Sequence, residues 1–178
     1  MTVLDKTHGP KLSSKIRKVI HPQKVVKASE NLRFYTKYAA FVLKALRKPR
    51  FQTFLKWMLR REKIEEYKIK DIQVRTFPSI NENGHGLAGK CNGKGQIRIY
   101  PKRLEFCQKQ MQEFGKKNVK FYIKGRAKAA LIHELLHLKY GSDEEKVRKL
   151  AKKYFKIFTK PQHAQNPDQH EIAKILFT

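Results

Sequence analysis

The chain of 178 residues has few cysteines, few acidic residues and no long apolar segment. Its two cysteines, Cys91 and Cys107, are too few for a disulfide framework and do not form a Cys-x-x-Cys motif, so we expect two free thiols. No apolar run approaches the roughly 20 residues that a transmembrane helix needs. The first ten residues contain no apolar segment of the kind found in secretory signals. These absences predict a soluble, cytoplasmic protein.

Acidic residues are scarce relative to basic ones. Lys and Arg number 41 against 15 Asp and Glu, which gives a formal net charge of +26. A charge of this size favours a polyanionic partner, of which nucleic acid is the simplest choice and an anionic membrane surface the weaker one. The alternative is a solvated basic surface without a ligand. Residues 1–70 hold 19 basic and 5 acidic residues, so we expect sequence-independent nucleic-acid binding mainly through this region.

The hydrophobic pattern divides the chain into three segments. Residues 1–28 are basic and weakly patterned, and we interpret them as a loose N-terminal arm with a short helix over residues 14–20. Residues 29–68 predict a helical hairpin, with Lys48-Pro49 between its two helices. Residues 69–178 predict an α+β unit that ends in a polar tail.

Strands and helices are both expected within residues 69–178. Alternating apolar residues predict strands over residues 69–77, 87–91, 96–100 and 119–123. The sequence Asn92-Gly93-Lys94-Gly95 is a hairpin signal between the second and third of these strands. Periods of three and four residues predict helices over residues 101–114, 126–140 and 142–158, and a last short helix after Asn166-Pro167. The fold class we expect is α+β with a small mixed or antiparallel sheet.

The sequence His133-Glu134-Leu135-Leu136-His137 has the spacing of an H-E-x-x-H zinc motif. On a helix, His133 and His137 lie one turn apart on the same face, where both imidazoles can bind one Zn²⁺. Glu134 lies beside the remaining coordination position and can act as general base toward a water molecule whose pKa zinc lowers to about 7. The flanking residues are apolar, and unpartnered polar groups on a buried helix are costly, which favours zinc over three satisfied core side chains.

A zinc hydrolase needs a third protein ligand, and the start of the next helix offers three acids. Glu144 is in phase with the apolar residues of that helix and is our first choice. Asp143 also points inward, from the first position of the helix, and is the second choice. Glu145 is in phase with the solvent face and forms a Ser-x-x-Glu capping box with Ser142, so we rank it third. More distant candidates are His85, His163, His170 and Glu171.

The motif and its surroundings resemble a known family. Residues 86–91, residues 96–100 and the stretch from Ala130 to Leu138 look like the zincin metallopeptidases, and are most similar to the SprT-like group and the minimal gluzincins. The resemblance covers residues 69–158. It implies a sheet packed on an H-E-x-x-H active-site helix, and a substrate that adds as a strand to residues 97–100. It also implies zinc bound by His133 and His137, with Glu134 as the base.

The chain departs from these families at two places. SprT-like proteins usually supply a later histidine as the third ligand, where this chain offers Asp143 and Glu144. A glutamate ligand is similar to gluzincins, although it follows the motif much sooner here than in the large members. Tyr140 stands where the metzincin pattern has glycine. SprT-like proteins include DNA-dependent proteases, which implies substrates among nucleic-acid-associated proteins.

Three functional hypotheses follow. The first is a zinc metallopeptidase in which residues 69–178 form a zincin-like domain and the substrate is a protein or peptide. The alternative is a basic nucleic-acid-binding protein whose zinc site is structural or vestigial. The third is a membrane-surface protein that uses the basic arm. Zinc content and the activity of a Glu134→Gln variant separate the first two, and binding to anionic vesicles tests the third.

Overall fold

The computed structural model describes residues 11–20 and 29–160. The short helix expected after Asn166-Pro167 lies outside these residues. The described part of the chain contains four α-helices and one small mixed sheet. The expected α+β class is therefore confirmed.

Four short strands form the sheet. They are β1 (Ile16–Val19), β2 (Asp71–Arg75), β3 (Gly89–Cys91) and β4 (Gln96–Ile99), in the spatial order β1-β2-β4-β3. β1 and β4 both run parallel to β2, and β3 runs antiparallel to β4. In β2, Ile72 and Val74 are buried and their neighbours are half-buried, which is the alternation of a strand with one covered face.

The helices are α1 (Ser29–Leu46), α2 (Pro49–Glu62), α3 (Leu104–Tyr140) and α4 (Glu144–Thr159), and 3-10 turns cover Leu12–Lys15 and Glu66–Lys68. Pro49 occupies the first turn of α2, where its missing N–H needs no partner. Gly141 ends α3 with a φ of 56°, a conformation that favours glycine. The turn that follows is short, so α4 folds back onto α3.

Residues 11–20 are not the loose, partly helical arm that we expected. Residues 16–19 form β1, which pairs with β2 from Ile16–Ile72 to Val19–Arg75. Leu12 and Ile16 are fully buried. The prediction was wrong because Ile16 is the single fully buried residue of this four-residue edge strand, so the sequence shows no alternation.

Residues 119–123 are helical and not the expected fourth strand, because α3 runs through them. Val119, Tyr122 and Ile123 are buried, and this spacing of three and four residues is that of one helix face. The apolar residues alternate as well, which made the short window ambiguous. Gly115, with φ 78° and ψ 161°, interrupts the helical path, so α3 consists of two helical segments that meet at this glycine.

The strand at residues 97–100, expected to bind substrate along its edge, lies inside the sheet. β4 pairs with β2 on one side and with β3 on the other, so neither of its edges is open to a further strand. β3 is the edge strand on this side of the sheet. The expectation for residues 97–100 was therefore wrong, since sequence order does not give spatial order in a sheet.

The core of the described residues is one continuous hydrophobic cluster. It contains Leu12 from the predicted arm, Phe51 from the hairpin and Leu131 from the third segment. The boundaries at residues 28 and 68 stay a prediction, but they do not separate two cores. None of the described helices combines the length and apolarity needed to cross a membrane.

Candidate metal centre

The structure brings three ionisable side chains together where α3 meets α4. The Nε2 atoms of His133 and His137 lie 3.0 Å apart. Glu144 reaches them from α4, with Oε1 at 3.3 Å from Nε2 of His133 and Oε2 at 3.2 Å from Nε2 of His137. The potential ligand atoms of these three residues all lie within 4.8 Å of one another.

These separations fit the coordination sphere of a small tetrahedral cation. Nitrogen and oxygen ligands at about 2.0–2.1 Å from Zn²⁺ in tetrahedral geometry lie about 3.3 Å from one another. Two neutral imidazoles and one carboxylate are also a donor set that zinc accepts in hydrolytic enzymes. The residues present therefore fit zinc in both spacing and chemistry.

The turn after α3 orients one of the two imidazoles. Nδ1 of His137 lies 2.6 Å from the carbonyl oxygen of Gly141, and the N–H of Gly141 in turn donates to the carbonyl of His137 at 3.0 Å. A carbonyl only accepts, so Nδ1 of His137 donates this hydrogen bond, and Nε2 is the ring nitrogen that faces His133 and Glu144. This is the second contact by which proteins fix a ligating histidine.

Burial favours the ligating form of the other imidazole. His133 lies inside the angle between α3 and α4, and this burial lowers its pKa, while the carboxylate of Glu144 opposes the shift. A histidine with a lowered pKa is neutral at pH 7, and the neutral form is the one that binds a metal.

Of the three acids at the start of α4, Glu144 is the one that lies at the histidines. Asp143 is the N-cap residue, and its carboxylate accepts a hydrogen bond of 3.1 Å from the N–H of Lys146. Glu145 is exposed. The expected capping box of Ser142 and Glu145 was wrong, because the helix begins one residue later and Asp143 is its cap. A metal-binding role for Glu144 stays a prediction.

The more distant candidates do not extend this cluster. His85 lies in the loop between β2 and β3, outside the group that the described residues bring together. The remaining three, His163, His170 and Glu171, fall beyond the described residues.

Glu134 is buried between α3 and the edge strand, with 6% of its surface exposed. The backbone N–H of Cys91 in β3 donates a hydrogen bond to its carboxylate. Burial raises the pKa of Glu134 to about 7, and nearby His137 opposes that shift. An acid with a pKa near neutrality can both accept and return a proton at physiological pH.

Gly89 of β3 makes room for this carboxylate. A Cβ atom at position 89 would lie 2.8 Å from Cγ and 2.9 Å from Oε1 of Glu134. Such contacts are too short for carbon, so a larger residue would displace the acid. The family resemblance includes Gly89 among residues 86–91, but this role depends on how β3 crosses α3, which no local pattern shows.

A second site that the sequence did not reveal anchors the end of α3. The carboxylate of Glu62, at the end of α2, accepts hydrogen bonds from the hydroxyls of Tyr140 and Tyr154, the former at 2.5 Å. Lys139 adds an ion pair at 3.4 Å. Glu62 thereby links the hairpin to both helices of the candidate centre. Only 8% of the surface of Glu62 is exposed, which is unusual for a glutamate, and no local sequence pattern predicts this burial.

Comparison with known protein families, with characterised proteins and with solved structures gave no match.

Proposed function

We propose that the protein is a zinc-dependent metallopeptidase. The observation that carries the proposal is the cluster of His133, His137 and Glu144 at separations of 3.0–3.3 Å, with the buried acid Glu134 next to it on α3. In this proposal α3 is the active-site helix and the sheet packs on it through β3. Zinc is the cofactor, held by the two histidines and Glu144.

Bound zinc would supply a water molecule of lowered pKa and polarise the carbonyl of the scissile bond. Glu134 would act as the general base, because it follows His133 directly in the chain and its pKa of about 7 suits proton acceptance at neutral pH. The same residue, once protonated, would return the proton to the leaving amine. The hydrogen bond from Cys91 would hold the carboxylate in one orientation during both transfers.

The substrate in this proposal is an extended peptide that adds to the outer edge of β3. This strand pairs with β4 on one side only, and it contacts Glu134 through Gly89 and Cys91. A peptide that pairs with an exposed strand is held by main-chain hydrogen bonds. The position of its backbone therefore depends little on its amino-acid sequence. The scissile carbonyl would then lie between β3 and the two histidines.

Metal content and a conservative variant test the proposal. Wild-type protein purified with zinc should contain one Zn²⁺ per chain and cleave a fluorescently labelled unfolded protein. Glu134→Gln should keep the zinc and lower kcat/KM by about 100-fold to 10,000-fold. Glu145→Gln, which also removes one acid near the centre, is the matched control and should retain activity.

Two results would contradict the peptidase. A zinc-free wild-type protein would remove its chemical basis, and equal cleavage by wild type and Glu134→Gln would assign the activity elsewhere. A zinc-loaded protein without peptidase activity would instead favour a structural or vestigial metal centre.

Association with nucleic acid is the second candidate function, with or without peptidase activity. The net charge of +26 favours it, because so large an excess of lysine and arginine attracts phosphate polymers from solution. In combination with the peptidase, it would concentrate the enzyme on proteins bound to nucleic acid.

A further inference from the structure

Two neighbouring pockets lie at the surface, the first lined by residues of β1, α1 and the start of α2 and the second mainly by residues of α3 and α4. The larger, of about 510 Å³, is lined by Lys18, Lys44 and Lys48. The smaller, of about 180 Å³, is lined by Lys48, Lys124 and Lys128. Lys48 lines both pockets, so they are neighbours on the surface. We call the two pockets together the lysine groove and define it by Lys18, Lys44, Lys48, Lys124 and Lys128.

Aromatic rings support the cations on the α3 side of the lysine groove. Nζ of Lys128 lies 5.0 Å from the ring centre of Phe158 and 5.5 Å from that of Phe51. Nζ of Lys124 lies 4.9 Å from the ring centre of Phe41. Such contacts stabilise a cation without neutralising it and limit where the long side chain can reach. Both ammonium groups are therefore held at defined positions and keep their charge for a ligand.

Within the described part of the chain, no acidic residue balances these charges. The residues that line the two pockets include neither Asp nor Glu. Among the described residues, the ion pairs also leave out all five lysines of the groove. Burial lowers the pKa of Lys128 to about 8, and the charges of Lys48, Lys124 and Arg50 add to this shift. Like charges held together without an acid destabilise the fold, and an anionic ligand relieves this repulsion.

The lysine groove and the candidate metal centre lie on opposite faces of the same helix. Lys124 precedes His133 by nine residues, and Lys128 precedes His137 by nine residues. Nine residues are about two and a half turns of an α-helix, which places the members of each pair on opposite sides. A ligand in the groove would thus leave the metal centre and β3 accessible to a peptide.

We infer that the lysine groove binds the phosphodiester backbone of a nucleic acid. Five lysines are distributed over two neighbouring pockets, which suits a chain of phosphates better than a single phosphate group. The lysines lie in concave pockets of about 510 and 180 Å³, which a flexible single strand can enter. The inference rests on the proposed association with nucleic acid and locates it on α1 and α3, away from the zinc chemistry.

Salt-dependent DNA binding of charge-matched variants tests the groove. Anisotropy of a fluorescein-labelled single-stranded oligonucleotide would be titrated with the full-length protein at several salt concentrations. Lys124→Gln/Lys128→Gln should reduce the slope of log K against log salt by about 1.4 and weaken binding by about tenfold or more near 0.1 M salt. Lys149→Gln/Lys153→Gln removes the same charge from exposed positions of α4 and should change both quantities much less.

The fold of each variant is checked by its melting temperature. Lys128→Gln removes a repelled charge but also the contacts of Nζ with Phe51 and Phe158, so it should melt close to wild type while it binds DNA more weakly. The single variant Lys48→Gln changes an exposed side chain shared by both pockets, so it tests the groove even where a change at Lys128 perturbs folding.

Each result decides between the groove and its alternatives. Equal weakening by the α3 pair and the α4 pair would overturn the groove while nucleic-acid association stands. A wild-type protein that binds no DNA at low salt would overturn both, without bearing on the peptidase. Binding to phosphatidylglycerol vesicles in the absence of DNA binding would assign the groove to a membrane surface and overturn the inference.

Discussion

At the scale of single residues, the environment of Glu134 is set by the strand that crosses it. An exposed glutamate has a pKa near 4, which makes it a weak base at pH 7. Burial beneath β3 raises the pKa of Glu134 to about 7. The missing side chain at Gly89 makes that burial possible, since the two residues are in direct contact. The raised pKa of Glu134 therefore depends on the absence of a side chain at residue 89.

Substitution of Gly89 should separate the base from the metal. Gly89→Ala places a methyl group 2.8 Å from Cγ of Glu134, so the acid must shift. Because a displacement of about 1 Å costs about 100-fold in catalysis, kcat should fall by roughly that factor while one zinc per chain is retained. Gly93→Ala, in the nearby hairpin turn with no atom within 4 Å of the new methyl, is the control for an added side chain. Unchanged kcat in Gly89→Ala would show that the position of Glu134 is not critical.

The three acids at the start of α4 should differ in what they contribute. Glu144→Ala should weaken zinc binding by at least about tenfold, because it removes the carboxylate that contacts both histidines. Asp143→Ala removes the N-cap and should lower the free energy of unfolding by about 1 kcal/mol. Glu145→Ala should change neither quantity. Competition with a chromophoric chelator measures the affinities, and a dominant effect of Asp143→Ala on zinc would move the ligand one residue earlier.

Part of this site could be predicted from the sequence. The one-turn spacing of His133 and His137 depends only on local helix geometry, and the helical phase of Glu144 is also local. Two features could not be predicted from the sequence. Asp143 is the cap because the turn after Gly141 delays the helix by one residue. Gly89 faces Glu134 because of tertiary packing between a strand and a helix that lie more than 40 residues apart.

At the scale of elements, α2 is linked through Glu62 to the end of α3 and to α4. Glu62 is the last residue of α2, and its carboxylate accepts hydrogen bonds from Tyr140 at the end of α3 and Tyr154 in the middle of α4. The backbone carbonyl of Glu62 also accepts a hydrogen bond of 2.6 Å from Nζ of Lys139. The hairpin, which bears no resemblance to the peptidase families, thereby supports the helices that present the candidate ligands.

Removal of this carboxylate should lower stability in a pH-dependent manner. Burial opposes the ionisation of Glu62, but the hydrogen bonds from Tyr140, Tyr154 and Lys139 outweigh it and hold the pKa below 4.5. Folding therefore favours the ionised form of Glu62. The stability that the ionised carboxylate gives to the fold is complete above about pH 4.5 and is lost as the pH falls through the lowered pKa. At pH 7, Glu62→Gln should reduce the free energy of unfolding by about 1–3 kcal/mol.

Urea denaturation at pH 7 and below pH 4 measures this effect. The difference between wild type and Glu62→Gln should narrow at the lower pH, whereas exposed Glu65→Gln should resemble wild type at both. A difference that is independent of pH would mean that the packing of the side chain, and not its charge, links the helices.

Most elements were predictable where their pattern was long. The two hairpin helices and α4 have apolar stripes over several turns, so helix spacing is unambiguous. β1 and residues 119–123 were not predictable, because a window of four or five residues fits more than one period. In both cases the deciding contacts are tertiary: β2 beside β1, and the core beneath α3.

At the scale of the whole molecule, the lysine groove and the candidate metal centre lie on opposite sides of α3. One side carries the histidine–glutamate cluster and the edge of β3. The other carries the lysine groove, where basic groups lack acidic partners among the residues that line it. An arrangement of this kind lets a polyanion and a peptide occupy the protein at the same time. Composition predicted the excess charge, but its position required the packing of α1 against α3.

The same excess of charge should make the stability of the protein depend on salt. With 41 basic and 15 acidic residues, the folded state repels itself more strongly than the expanded chain does. Raising NaCl from about 50 mM to 500 mM reduces the screening length to a few ångströms. The melting temperature should rise by about 2–4 °C for each kcal/mol of repulsion removed.

A charge-reversal variant is the control for the expected effect of salt on the melting temperature. Lys149→Glu/Lys153→Glu lowers the net charge from +26 by four at exposed positions of α4. It should melt higher than wild type at low salt and gain less from added salt, because part of the repulsion is already gone. Calorimetry at both salt concentrations measures the two effects. A wild-type melting temperature that falls with salt would mean that attractive ion pairs, such as Arg17 with Asp71, outweigh the repulsion among the lysines.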